Sequence, residues 1–371
     1  MISFEPTEDE LALQQTVHRF AAERIRPALR ECEEANGVTE ELTRAFWEIG
    51  LAQMTCPSPV GGAGLGWRTA VLAEEELAWG DPGISVALPR PGFTGEALAA
   101  LGEDVQRRWL APLVADPPQI ASAAVFEGGS SADGGSACQV SPRNGGIVVS
   151  GTKHDVAAAD RADWILVTGR LGGELALLAL PRDTPGIGFV PAPLRLGLRA
   201  ARYGRLSLQE CRASNEAVLA RGDAAGAALS RALKCELVMW AARAVGTARA
   251  AFEYAARYAT ERRAFGRAIA EHQAVAFMVA DMGIQVDAAR TLVWQAASAV
   301  DTQAPDTAGL ASSAADFATD AALKVTNDAV QVLGGHGYIQ DHPVEKWMRD
   351  ARALANIAQR VVGTLRTLAS A

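Results

Sequence analysis

Cysteine is scarce and odd in number: Cys32, Cys56, Cys138, Cys211 and Cys235, with no CxxC pair among them. That argues against a disulfide framework or a zinc ribbon and points to a reducing, cytoplasmic compartment. No apolar run reaches the roughly 18 residues of a membrane span. The opening stretch, MISFEPTEDELAL, is acidic where a signal peptide is basic and then apolar. Positive charge is not in excess either. Lysine and arginine total 35 against 43 acidic residues, for a net charge of −8. A general nucleic-acid binder, which needs a basic stripe to displace counterions, is excluded on that ground. Only Lys153, Lys234, Lys324 and Lys346 are lysines, a bias that reads as the composition of a GC-rich bacterial genome. The five histidines form no HExxH and no dense metal cluster. GxGxxG, GxxxxGK[ST] and internal repeats are absent.

What remains is an ordinary soluble globular chain. It has 371 residues, 49% of them apolar and 21% charged, enough for two or three domains. Residues 1–118 read as a helical domain. Leu11, Leu13, Val17, Phe20 and Ala21 recur at helical spacing behind an acidic start, and Pro27 limits that helix or its extension. Residues 119–222 read as a middle antiparallel β-barrel or sandwich. Short β-branched and apolar runs alternate with turn residues there, Asn144-Gly145-Gly146 among them. Residues 223–371 read as a helical bundle whose first helix, from Leu229 to Ala259, exceeds the usual globular length.

Three segments stand out. Pro59–Gly66 is glycine-rich but follows no strand, so it reads as an interhelical loop. Glu261-Arg-Arg-Ala-Phe-Gly266, followed by His272-Gln273, offers arginine to an anionic diphosphate and an aromatic ring for stacking. It reads equally as a charged helix end capped by Gly266. Gln331-Val-Leu-Gly-Gly-His-Gly337 places three glycines in four positions, which lets backbone approach a ligand closely.

Taken together, these strings resemble the acyl-CoA dehydrogenase family. The loop at 57–65, Glu75–Ala78 (E-E-L-A), Arg262…Phe265-Gly266…Gln273, Gln331–Tyr338 and Pro343–Ala351 (P-V-E-K-W-M-R-D-A) occur in family order along nearly the whole chain. The resemblance implies FAD held between the β-domain and the bundle. Arg262 and Phe265, with Gln273 in the same set, would meet its diphosphate and ring region; Gln331, Gly334 and Gly335 would meet the adenosine side. Val125 and Ser131 mark the flavin-facing loop, here Val125-Phe-Glu-Gly-Gly-Ser-Ser-Ala-Asp133. The implied reaction is FAD-dependent α,β-dehydrogenation of an acyl-CoA thioester. Implied partners are a homodimer or tetramer, or a hetero-tetramer with a paralogous subunit, and an electron-transfer flavoprotein as acceptor. A non-catalytic or half-site subunit, and an oxidase or monooxygenase on the same fold, are the alternatives.

The chain departs from that family at its commonest base. The glutamate expected shortly after M-R-D-A is Ala358, and Glu345 is the last glutamate in the sequence. The backbone N–H of residue 358 would still serve the thioester carbonyl. Some branches place the base on the first long bundle helix, seven residues before a stretch matching Arg243-Ala-Val-Gly246; here that residue is Glu236. It shares a helix face with Leu229, Leu233 and Trp240. A carboxylate in an apolar stripe is costly unless used or paired, so Glu236 is either the base or half of an ion pair with an arginine of another helix. The family's aromatic cover over the flavin and the hydroxyl that bonds it fall at Asp155-Val-Ala157, which carry neither.

Overall fold

The computed structural model describes residues 5–128, 138–192 and 195–370. Helices fill the chain to Val114: α1 (Glu8–Phe20), α2 (Arg26–Ala35), α3 (Glu40–Glu48), α4 (Trp67–Gly80), α5 (Pro82–Ala87), α6 (Gly92–Ala99), α7 (Glu103–Val105) and α8 (Ala111–Val114). Thr7 caps α1 through a reciprocal capping box with Glu10. Pro27 does not end this helix. The turn Ala21–Ile25 widens to π geometry, with the Arg26 N–H reaching the Ala21 carbonyl. The proline then enters at the first turn of α2, where its missing N–H costs little.

Strands follow: β1 (Ala121–Ala124), β2 (Gln139–Arg143), β3 (Gly146–Ala157), β4 (Trp164–Leu171), β5 (Glu174–Pro181), β6 (Ile187–Pro191), β7 (Tyr203–Ser214) and β8 (Val218–Arg221). They form one eight-stranded sheet in the order β6-β7-β3-β2-β4-β5-β8, with β1 joined to β4. The sheet is mostly antiparallel, but β1 and β2 both run parallel to β4. Asn144 and Gly145, at φ 48° and 80°, make the two-residue turn between β2 and β3, the twist that a right-handed hairpin prefers.

The 40-residue α9 (Gly222–Glu261) is about 60 Å long at 1.5 Å per residue. A minimal hairpin of β9 (Arg263–Ala264) and β10 (Arg267–Ala268) leads to α10 (Gln273–Asp301), α11 (Thr307–Leu333) and α12 (Val344–Ser370). α9 packs against α10, α11 and α12, and also against α4 and α6 of the N-terminal helices. The close crossing with α4 depends on Gly246: a Cβ there would sit 2.2 Å from the Glu75 carbonyl oxygen. A buried cluster ties the three regions together. Lys346 of α12 meets Asp81 at 2.5 Å and Asp350 at 2.7 Å, and Asp350 accepts from the Leu198 N–H at 2.7 Å.

Candidate active site and cofactor groove

Glu236 lies on α9 between buried Leu233 and Trp240, with 19% of its side chain exposed. It faces a cavity of about 30 Å³ whose wall includes Trp67, Phe93, Met239, Arg90, Glu96 and Arg243. The Glu236 Oε1 accepts from Arg243 Nη1 at 3.2 Å. Glu236 is therefore paired, but within its own helix rather than with another. Arg243 also donates from Nε to Glu74 at 2.6 Å, and its guanidinium lies 4.5 Å over the Trp240 ring. Glu74 is fully buried and accepts further from Ser85 Oγ at 2.5 Å and Arg90 Nη1 at 2.6 Å. Burial alone would push the Glu74 carboxyl upward, but the charges of Arg90 and Arg243 hold it down at about 2. Across the cavity Glu96 pairs with Arg231 at 3.0 Å. Burial raises its carboxyl above the ordinary range despite that arginine.

Among these residues only Glu236 is legible from sequence. Arg243 lies seven residues on, so the same-face spacing was a usable signal. Glu74, Arg90 and Glu96 carry none, because helix crossings bring them in.

A second concavity, of about 580 Å³, opens where α9 ends and α11 turns. Arg262, Tyr258, Ile269, Leu333, Gly334, Gly335 and His336 contribute to its wall. The His336 Nδ1 lies 3.1 Å from the Tyr258 hydroxyl. Gly334 has φ +58°, and the space above both glycines is open. Gly266 is not a helix cap. It forms, with Phe265, the two-residue turn of the β9–β10 hairpin, both residues at positive φ. That left-handed turn leaves Phe265 95% exposed, a conformation that costs a bulky residue energy. Gln273 opens α10 and Gln331 lies near the end of α11, both exposed; the Gln331 carbonyl accepts from the Gly334 N–H. Cavity and groove share no lining residue.

In the sheet region, the Val125 carbonyl accepts from Lys153 Nζ and from the Thr168 hydroxyl, each at 3.3 Å. Lys153 is buried and pairs with Glu127 at 2.7 Å; burial lowers its pKa against the pull of that carboxylate. Ser131 lies outside the described residues. Asp155 pairs with Arg195 at 2.9 Å and with Arg360 at 2.6 Å, joining β3 to α12. Ala358 is buried inside α12, which runs unbroken from residue 344 to 370. Its N–H is committed to the helix ladder, which leaves it unavailable for the expected bond from residue 358 to a thioester carbonyl.

The groove suits a dinucleotide: a cation at one wall, bare glycine backbone at the other, and room between them. Helices, a mainly antiparallel sheet and a bundle, with that groove and a carboxylate beside a small cavity, define a cofactor-dependent enzyme. The acyl-CoA dehydrogenase N-terminal domain matches residues 7–116, and the acyl-CoA dehydrogenase C-terminal domain matches residues 226–358. The chain is 31% identical to benzylmalonyl-CoA dehydrogenase of Aromatoleum aromaticum, over 95% of this chain and 94% of that one. It superposes on butyryl-CoA dehydrogenase from Megasphaera elsdenii with a TM-score of 0.86 at 26% identity, covering 98% and 99% of the two chains. It superposes equally, at 0.86 and 27% identity over 97% and 98%, on a chain in a structure described as the electron transferring flavoprotein of Acidaminococcus fermentans. The chain belongs to the acyl-CoA dehydrogenase family. It is an FAD-dependent oxidoreductase acting on the CH–CH bond of an acyl-CoA, and the half-site and oxidase alternatives are not favoured. Among the described residues, no helix is long and apolar enough to cross a membrane, and no group of three His, Cys, Asp or Glu is placed to hold a metal.

Proposed function

We propose that Glu236 removes the α-proton of a short acyl-CoA in this dehydrogenase. The carrying observation is a carboxylate in the wall of the small cavity beside α9, on a chain with no glutamate after residue 345. Bound FAD would supply the acceptor for the hydride from Cβ. Glu236 takes the proton from Cα, and the apolar walls formed by Trp67, Phe93 and Met239 exclude water from the reacting carbons. The narrow cavity supports short acyl groups over long ones. Arg262, Phe265, Gln273, Gln331, Gly334 and Gly335 would hold FAD, with Val125 and Ser131 on the flavin-facing loop.

The groove is open to solvent and flanked by exposed Phe265, Tyr338 and Ile339, which supports assembly into a dimer or tetramer around it. An electron-transfer flavoprotein is the proposed acceptor. Domain boundaries at 118/119 and 222/223 accompany this reading. The test is anaerobic dye reduction with straight-chain acyl-CoAs of increasing length, by wild type and Glu236→Gln. Activity is expected to peak at the short end and to vanish in the variant. Activity rising with chain length would overturn the substrate size, and an active variant would overturn the base.

A further inference from the structure

The bonds of Arg243 are unequal. Its contact with Glu74 is short, 2.6 Å, and its contact with Glu236 is long, 3.2 Å, through a single nitrogen. Glu74 is in turn unable to swing away, because Ser85 and Arg90 hold both its oxygens at 2.5 and 2.6 Å in a fully buried site. We infer that Glu74 is a positioning counter-charge that keeps Arg243 from capturing Glu236, leaving Glu236 oriented and free to accept the substrate's proton. This rests on Glu236 being the base.

The physical argument concerns what is left behind when the proton moves. As the Cα–H bond breaks and an O–H bond forms on Glu236, the electron pair stays on the substrate and Glu236 becomes neutral. An arginine paired with Glu236 alone would then be a buried, unpaired cation, which is strongly unfavourable. With Glu74 as its main partner, Arg243 stays paired throughout. Arg243 still fixes the carboxylate's orientation through Nη1, and no proton passes through it.

The opposing signs make this testable. Glu236 is faced by Arg243 and Cys235 on α9, by Glu96 on α6, and by Arg90 before α6; its charge also reaches Tyr203 at the start of β7. Among the described residues, Arg243 is the one that bridges Glu236 to a second carboxylate, Glu74. Removing the Glu74 charge hands Arg243 to Glu236 and weakens the base. Removing the Arg243 charge frees the base and strengthens its hold on a proton.

The experiment uses the FAD-loaded enzyme and the 3-thia analogue of whichever acyl-CoA it turns over fastest. Sulfur replaces Cβ in that probe, so no hydride can leave, and deuterium exchange at Cα reports proton removal alone. Glu74→Gln should shift the acid limb of the exchange–pH profile down by about one unit and slow exchange about 10-fold or more, while Arg243→Met shifts the limb up. Arg243→Lys, which keeps the charge but not the two-sided reach, should hold the wild-type limb with slower exchange. If Glu74→Gln does not fold, the Glu74→Gln/Arg243→Met double variant replaces it, since losing both charges of a buried pair is tolerated better than losing one; its limb must then lie above that of Arg243→Lys. Limbs that stay fixed, or move in the same direction in the two single variants, overturn the inference and leave Glu236 as base. Wild-type exchange by Glu236→Gln overturns the base reading itself.

Discussion

Glu74 and Arg243 meet at 2.6 Å although 169 residues separate them. Their contact is one of several where the N-terminal helices grip the long bundle helix, and it lies one guanidinium away from Glu236. Stability and chemistry are therefore coupled at this crossing, which shapes what each substitution below is expected to do.

Glu236→Gln keeps the shape of the side chain and removes its basicity. Loss of a positioned base typically costs about 10²–10⁴-fold in rate, so kcat should collapse while acyl-CoA binding, FAD content and folding persist. Adding Ala358→Glu returns a carboxylate to the commoner family position. Residue 358 is buried in the core and does not line the cavity beside Glu236, so no recovery of turnover is the expected outcome, read as steady-state kcat; recovery would bring residue 358 to the substrate. Because residue 358 is buried in an unbroken helix, thermal unfolding must be followed alongside, and a well-folded double variant with no recovery would place residue 358 away from the substrate.

Gly246→Ala adds one methyl at the α4–α9 crossing, 2.2 Å from a backbone carbonyl. Backbone cannot step aside as a side-chain tip can. Overpacking of this kind costs about 1–3 kcal/mol. Chemical denaturation should show the loss as a lowered midpoint with an unchanged slope. A neutral result would mean that the two helices separate easily, and the Glu74–Arg243 bond with them.

Acid should weaken the fold through Glu74. Its carboxyl titrates at about 2 against an ordinary value of 4.5, so between those values the native state binds fewer protons than the unfolded chain. The stability it contributes is full above pH 4.5 and is lost as pH falls towards 2, with a size on the order of a few kcal/mol. Glu96, raised by burial, contributes a slope of the opposite sign. Comparing wild type with Glu74→Gln isolates the first effect. The variant should be less stable near neutrality, and its stability should fall less steeply across the acid window. Parallel acid-unfolding curves would contradict this.

Arg262 lines the groove and is the cation proposed to meet the FAD diphosphate. Arg262→Ala should weaken FAD retention about 10- to 100-fold, the size of one lost charge-assisted hydrogen bond. Visible flavin absorbance relative to protein, measured during titration with FAD, reads the effect. Added salt should narrow the gap between wild type and variant, because an exposed charge is screened. Light scattering on the same samples should show a dimer or tetramer; a flavin-loaded monomer would contradict the proposed assembly.

The helix–sheet–helix order, the long α9, the hairpin at Asn144-Gly145 and three of the residues that line the groove, Arg262, Gly334 and Gly335, were legible in the sequence. They are local: periodicity, turn chemistry and glycine runs act over a few residues, and Arg262 caps α9 just before the short hairpin that carries Phe265. Glu236 was legible as a misfit, a carboxylate on an apolar face. What it pairs with was not. The tertiary structure alone decided that Glu74, itself held by Arg90, would hold Arg243, because those residues meet through a helix crossing that a missing Cβ at Gly246 permits. It alone decided that β1 and β2 run parallel to β4, since strand direction depends on how connections cross the sheet. It also decided that Pro27 sits inside a continuing helix, where a widened turn relieves the lost hydrogen bond. Buried charges are chosen by the partners that surround them, and those partners come from distant parts of the chain.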